Sequence, residues 1–161
     1  MPRGRSGRWV DEYIVRQARP GDAPALAAID ASASASHWST AQFAAACGGA
    51  GRGHRSILVI HRRVHVDGFV MYSQVLDEVS VHNIAVRMSC RGRGLGQRLL
   101  LASLEHMKIA GATRCLLEVR QSNTAAQRLY QRSGFTLDGE RKDYYPAHQG
   151  RENALLMSRN L

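Results

Sequence analysis

The stretch "NIAVRMSCRGRGLGQRLL", Asn83 to Leu100, joins a run that reads as a strand to a run that reads as a helix. It contains three glycines and four arginines, and no acidic residue. Gly94 and Gly96 would let the backbone approach a ligand that a side chain would push away. Successive backbone N–H groups at a helix start can form a concave anion site. The junction therefore predicts a site suited to a pyrophosphate, the alternative being a glycine-rich turn with solvated arginines.

The segments around this junction alternate in a way that predicts one mixed sheet. Three strand-like runs lead into it, "SILVI", "VDGFVMYSQVL" and "EVSVHNIAV", and their short breaks favour an antiparallel meander. A helix follows Gly96 and ends at Gly111. The run "RCLLEVR" then resumes as a strand, so the strands before and after this helix should be parallel.

Capping signals place the remaining helices. Asp22 is the candidate N-cap of a helix after a first strand in "YIVRQAR", and "STAQF" has the capping-box spacing from Ser39. Ser122 or Asn123 caps a helix that ends at Gly134, and two further strand-like runs follow. The order β, two helices, three-strand meander, α, β, α, β, β predicts a single α/β domain over residues 13–161.

Composition limits the classes of protein to consider. The chain has 161 residues and a formal net charge of +9, part of it in a basic arm over residues 1–12 that we expect to be disordered. No apolar run reaches the length of a membrane span and the basic start has no following apolar stretch, so a cytoplasmic protein without a membrane partner is expected. Three scattered cysteines lack metal-ligand spacing, and no metal is expected.

Two side chains add chemistry to the anion site. Glu118 shares a strand face with Leu116 and Arg120, so a carboxylate interrupts an otherwise apolar strand. A partly buried carboxylate is costly unless it is used or paired, which leaves a general base or an ion pair with an arginine as its two interpretations. Tyr130, on the next helix, is either a core aromatic or a phenol that donates a proton to a departing anion.

These segments resemble the GCN5-related N-acetyltransferases, known as the GNAT superfamily. Arg91, Gly94 and Gly96 match the acetyl-CoA loop pattern of Gln or Arg, two residues, Gly, one residue, Gly or Ala. The runs "VLDE", "NIAV", "LEVRQSNTAAQRLYQRSGF" and "YYPAHQGRENALLM" resemble one branch, the RimI type, which acetylates the N-terminal alanine of a small-subunit ribosomal protein. The resemblance implies a mostly antiparallel sheet, splayed at its centre between the strands that end at Val86 and carry Glu118, with helices on both faces.

The resemblance also implies roles for individual residues in binding acetyl-CoA. Backbone groups of Ile84, Ala85 and Val86 would hold the pantetheine arm and the thioester, and Asn123 would be a further contact. The residues implied to hold the pyrophosphate are Arg91, Gly92, Arg93, Gly94, Leu95 and Gly96.

Catalysis and acceptor binding are implied in the same way. Glu118 matches the proton acceptor and Tyr130 the proton donor of a direct transfer. Cys90 is not expected to carry the acyl group, because no base is evident beside it. Trp38, Tyr144 and Tyr145 would lie near the path of the acceptor peptide. His82 departs from the pattern, since bulky apolar residues are common at its position.

Two alternatives to an N-terminal acetyltransferase stay open at this point. The first is a related acetyltransferase that acts on a small amine or on lysine side chains. The second is a non-catalytic ribosome- or RNA-binding protein that uses its positive charge, which predicts steeply salt-dependent binding and no thioester-dependent turnover. Nucleic-acid contact through the basic arm is compatible with the enzyme but is not required for it.

Overall fold

The computed structural model of the chain describes residues 12–49 and 55–161. Within these ranges seven strands form one sheet, and they are β1 Ile14–Gln17, β2 Arg55–Arg62, β3 His65–Val75, β4 Glu78–Val86, β5 Arg114–Arg120, β6 Thr136–Pro146 and β7 Arg151–Asn160. The α-helices of the same ranges are α1 Ala23–Ala33, α2 Thr40–Cys47, α3 Leu95–Ile109 and α4 Thr124–Arg132. Short 3-10 turns cover Pro20–Asp22 and Met88–Cys90. The basic arm, apart from Glu12, lies outside the described residues, so the expectation for it remains a prediction.

The strands follow the spatial order β1-β2-β3-β4-β5-β7-β6. The β4–β5 pair is parallel, because α3 carries the chain back between them, and the other five neighbouring pairs are antiparallel. The predicted element order and the predicted mixed, mostly antiparallel sheet are both confirmed. The bounds predicted for β4 and β5 agree with the structure residue for residue.

Helices cover both faces of this sheet, as expected. On one face, Leu99, Leu104 and Met107 of α3 and Tyr130 of α4 join a large buried cluster. On the other face, α1 and α2 bury a smaller cluster around Phe43. The alternation of β5 places Cys115, Leu117 and Val119 in the larger cluster, while Leu116 and Glu118 on its opposite face are half-buried.

The capping predictions have mixed outcomes. Ser39 and Gln42 form the expected box at the start of α2, with Gln42 N donating to Ser39 Oγ at 3.2 Å and Ser39 N to Gln42 Oε1 at 2.9 Å. Asp22 is the N-cap residue of α1, as predicted, although its carboxylate makes no capping hydrogen bond to the helix. The carboxylate instead accepts from the Arg16 guanidinium at 2.8 Å, and this pairing holds its pKa below the ordinary value.

Candidate active site

The site is organised by incomplete pairing of the two parallel strands. Strands β4 and β5 pair only over Glu78–Val81 and Arg114–Leu117. Beyond the last pair, β4 continues along β3 while β5 continues along β7, so the sheet opens into a wedge. The edge of β4 that faces the wedge has no strand partner within the described residues, and such an edge can bond an extended ligand.

Three adjoining cavities run through this wedge. The loop cavity, about 320 Å³, lies between the glycine-rich loop and α4. The central cavity, about 460 Å³, lies in the wedge and shares Ile84, Ala85 and Val86 with the loop cavity. The hairpin cavity, about 490 Å³, lies beside β6 and β7 and shares His82 and Glu118 with the central cavity. The shared lining makes one groove from the loop to the hairpin.

The loop cavity has the features of an anion site. Gly92 and Gly94 adopt φ values of +73° and +76°, a left-handed conformation that favours glycine. A Cβ at either position would meet no atom within 4 Å, so the backbone is open to a ligand. Gly94 is the N-cap of α3 and supplies no side-chain cap, which leaves the first N–H groups of the helix available.

The four arginines of the junction have different surroundings. Arg91 lines the loop cavity, and its Nε donates to the Val86 carbonyl at 3.0 Å. Arg93 is exposed and does not line the three cavities. Arg87 pairs with Asp67 at 3.2 Å, and Arg98 donates to the Tyr13 carbonyl at 2.7 Å. Two of the four charges therefore support the scaffold rather than the cavity.

Glu118 lies where the central and hairpin cavities meet. Its side chain keeps 30% of its exposure, and Oε1 is 3.4 Å from the Arg141 guanidinium. The ion pair expected as one interpretation of Glu118 is thus present. It coexists with cavity access, so the carboxylate is both held and reachable.

Helix α4 presents two of the predicted residues to the groove. Asn123 is its N-cap, with Oδ1 accepting from Ala126 N at 3.1 Å, and it lines the loop and central cavities. Tyr130 lines the same two cavities although only 6% of it is exposed. Burial, followed by the charges of Tyr145 and Cys115, raises the pKa of Tyr130 to about 12. The phenol therefore keeps its proton at neutral pH and is available as a donor.

Two tyrosines near the end of β6 wall the hairpin cavity. The rings of Tyr144 and Tyr145 are 4.9 Å apart at their centroids and nearly perpendicular. The Arg120 guanidinium lies 4.4 Å from the Tyr145 ring centroid, and that of Arg141 lies 5.3 Å from the Tyr144 ring centroid. Burial and then the Glu118 charge raise the pKa of Tyr145.

A comparison with protein families identifies the group to which this architecture belongs. Residues 23–135 match the model of the acetyltransferase (GNAT) family. The chain belongs to the GNAT family of acetyltransferases. The family predicted from the loop and strand motifs is therefore confirmed.

Relatives of this acetyltransferase include proteins with a named substrate. The [ribosomal protein bS18]-alanine N-acetyltransferase of Escherichia coli is 35% identical over 138 residues, which cover 85% of this chain and 90% of that protein. The Salmonella typhimurium protein of the same name is 41% identical over 90 residues, or 56% of this chain and 61% of that protein. The match thus spans less than two thirds of the Salmonella relative. The crystal structure of the E. coli ribosomal-protein-S18-alanine N-acetyltransferase superposes with a TM-score of 0.81 at 31% identity, over 92% of this chain and 93% of that one.

The predicted site residues of this GNAT protein gather in the groove with two exceptions. Ile84 to Val86, Asn123, Glu118, Tyr130 and both hairpin tyrosines line it. Arg93 is one exception. Trp38 is the other, since it packs on Phe43 at 5.4 Å, beneath the Arg55 guanidinium at 4.9 Å. Cys90 lines the loop cavity, and its nearest polar contact is Ser89 Oγ at 3.8 Å.

Sequence reasoning missed Arg141 and gave no role to His82. Arg141 reaches Glu118 because β7 lies between β5 and β6, an order that no local pattern reveals. His82 lines the central and hairpin cavities because it is the residue of β4 that has no partner on β3. A polar residue where the family has bulky apolar ones was the available signal for His82.

Membrane-spanning helices and metal-binding groups are both absent from the described residues. No helix within 12–49 and 55–161 is long and apolar enough to span a membrane. The same part of the chain holds no group of three or more His, Cys, Asp or Glu side chains arranged to bind a metal ion.

Proposed function

We propose that this protein is an N-terminal acetyltransferase. It moves an acetyl group from acetyl-CoA to a free α-amine, preferentially the N-terminal alanine of a small-subunit ribosomal protein. The observation that carries the proposal is the continuous groove from the glycine-rich loop, past Glu118, to the tyrosine-walled hairpin cavity. The names of the E. coli and Salmonella relatives support the choice of acceptor.

The described residues fit acetyl-CoA as the donor. Gly92 and Gly94 leave open backbone beside an uncapped helix start, which suits the pyrophosphate, and Arg91 adds positive charge. The open edge of β4 at Ile84 to Val86 suits the amide-bearing pantetheine arm. Bound there, acetyl-CoA would supply the activated acyl group.

The groups of the central cavity supply the proton transfers. Glu118 accepts a proton from the α-ammonium group, directly or through water, so that the amine becomes nucleophilic. Tyr130 holds its proton at neutral pH and donates it to the departing thiolate. The nucleophile is thus the acceptor amine itself, in a direct transfer.

The ordinary pKa values of amines favour an α-amine acceptor. An α-amine titrates near 7.7 to 8.0 and lysine near 10.4, so a neutral lysine at pH 7 costs roughly 3 kcal/mol more. A single carboxylate base is therefore better suited to deprotonating an α-ammonium group than a lysine side chain. The wall of Tyr144 and Tyr145 provides an aromatic surface for the following residues of an extended peptide.

A turnover assay with acetyl-CoA tests this proposal. The acceptor is a peptide with a free N-terminal alanine and an internal lysine, and its control has the α-amine blocked. We expect mass spectrometry to locate the acetyl group on the α-amine, and we expect blocking to abolish turnover. Acetylation of lysine, better turnover of a polyamine or an aminoglycoside, or salt-sensitive RNA binding without turnover would contradict the proposal.

A further inference from the structure

Strand β4 contains an extra residue at the point where the sheet opens. Met71 pairs with Asn83 and Tyr72 pairs with Val81, so the pairing of β3 with β4 leaves His82 without a partner. A bulge of this kind redirects the side chain of the unpaired residue. Val81 is also the last residue of β4 that pairs with β5, and its partner is Leu117. His82 and Glu118 are therefore the first residues on the two sides of the wedge.

The cavities place the same two residues together. The central and hairpin cavities share five lining residues, and the titratable ones among them are His82, Glu118 and Tyr145. In the proposed function, the acceptor amine meets the acyl group where these cavities join. His82 and the proposed base therefore both line the region where the two cavities join.

The bonding of the imidazole determines which ring nitrogen is available. His82 Nε2 lies 2.7 Å from Ser73 Oγ on β3. Among the described residues, Nδ1 has no hydrogen-bond partner. When Nε2–H donates to Ser73, Nδ1 has the free lone pair of a proton acceptor.

The charged and titratable groups around His82 come from three strands. Arg55 lies on β2, Glu118 on β5, and Tyr145 and Arg141 on β6, while Asp138 on β6 lines the hairpin cavity. Burial, and then the charge of Arg55, lower the pKa of His82. Both effects favour the neutral imidazole, whose free ring nitrogen can accept a proton.

The proposed reaction removes two protons from the amine nitrogen, and Glu118 accounts for only one of them. The α-ammonium nitrogen carries three hydrogens and the product amide nitrogen carries one. As the C–N bond forms and the C–S bond breaks, two protons leave the nitrogen. Balance requires that one proton ends on the coenzyme A thiol, through Tyr130 and its reprotonation, and that the other reaches solvent.

We propose that His82 is a second proton acceptor of the acceptor site, taking at Nδ1 one of the two protons that the amine nitrogen loses while Glu118 takes the other. This inference rests on the proposed function and adds a residue to its proton path. Ser73 is a positioning residue for His82, since its hydroxyl bonds Nε2 and so orients the ring.

The test compares the wild type with His82→Gln, with His65→Gln as matched control on an exposed part of β3, using acetyl-CoA and an alanine-terminated peptide. At pH 7.5 we expect kcat/KM of His82→Gln to be lower by about 10- to 100-fold, a share of the usual general-base contribution. Below the pKa of His82 the wild-type imidazole is protonated. The ratio of the wild-type kcat/KM to that of His82→Gln should then fall to one or less. His65→Gln should follow the wild type at every pH. Ser73→Ala should lower kcat by less than His82→Gln does. It should also shift the pH at which the difference in kcat/KM from His82→Gln disappears.

Two results would overturn the inference. One is no difference between the wild type and His82→Gln. The other is a ratio of kcat/KM that stays constant as the pH falls through the His82 pKa measured by NMR titration, as a purely structural role predicts. Thermal unfolding of both variants checks that the fold is retained. Absence of α-amine acetylation by the wild type would instead reject the proposed function, so the two failures are distinguishable.

Discussion

The two ends of the groove are built in different ways. The loop cavity is lined by two short segments, 84–96 and 123–130, and six of its lining residues are glycine or alanine. The hairpin cavity is formed by longer side chains, among them His82, Glu118, Arg141 and Tyr144, from strands β4 to β7. Glycine positions that expose the backbone tolerate few substitutions, so they form a recognisable sequence motif. Side chains that line the acceptor end can differ from one acceptor to another. Changes at the loop should therefore alter cofactor affinity, and changes at the hairpin should alter turnover of the acceptor.

The largest effect is expected from a change to Glu118, the proposed proton acceptor between the two ends of the groove. Glu118→Gln keeps the shape of the side chain and removes its basicity, so kcat should fall by roughly 10² or more. Because Glu118 does not line the loop cavity, calorimetry should give an unchanged affinity for coenzyme A. Glu105→Gln, on the exposed face of α3, is the matched control. A near-normal kcat in Glu118→Gln, with chemistry limiting the rate, would refute the assigned role.

A change to Tyr130, the proposed proton donor, should lower kcat by a similar or smaller factor. Tyr130→Phe retains the packing on Phe135 and removes the hydroxyl, so kcat should fall by about 10². Tyr72→Phe, at another buried tyrosine, should stay close to wild type. A fall in cofactor affinity without a fall in kcat would assign Tyr130 to binding instead.

Tyr130 should also affect stability at high pH. Its pKa is raised from 10.0 to about 12, so its contribution to the free energy of unfolding is complete below pH 10. The contribution should be lost as pH rises towards 12, by on the order of 2 kcal/mol, and Tyr130→Phe should lack this loss. Denaturant unfolding at pH 9 and pH 11.5 measures it, and parallel losses in both proteins would contradict the assigned burial effect.

At the loop, a β-branched side chain should block the approach of an anion. Gly94→Val should weaken coenzyme A binding by about tenfold or more, because hydrogen bonds to charged groups contribute about 1.5 to 3 kcal/mol. Both Gly94→Val and its control Gly111→Val place valine at a positive φ with open space around it, so each should lose about 1 to 2 kcal/mol of stability. Equal coenzyme A affinities in the two variants would remove the pyrophosphate assignment.

The smallest expected effect concerns the ion pair at the hairpin. Arg141→Ala removes the guanidinium 3.4 Å from Glu118, and a half-exposed pair contributes no more than about 1 kcal/mol. We expect kcat to fall by up to about fivefold, with unchanged coenzyme A affinity. Lys142→Ala is the control on the same strand. Weaker coenzyme A binding in Arg141→Ala would contradict the expectation that changes at the hairpin leave cofactor affinity unchanged.

The sequence predicted the elements better than the contacts between them. Alternation in "EVSVHNIAV" and "RCLLEVR" identified β4 and β5 to the residue, and the same alternation placed Glu118 towards the cavity. Across His82 the apolar positions of β4 shift by one residue, from Val79 and Val81 to Ile84 and Val86. The shift does not by itself show that His82 is the residue without a partner on β3. Asp22 shows the same limit. Its position at the helix start was correct, but Arg16, six residues away, engages the carboxylate.

The central claim is that the loop cavity and the hairpin cavity form one path through the opening between β4 and β5. A bisubstrate compound, with coenzyme A joined through an acetyl bridge to the α-amine of an alanine-terminated peptide, tests it directly. Calorimetry should show it binding at least about 10²-fold more tightly than coenzyme A alone, because the second contact becomes intramolecular. The same peptide joined through a lysine side chain should gain little. An α-linked compound that binds no more tightly than coenzyme A would contradict a continuous path.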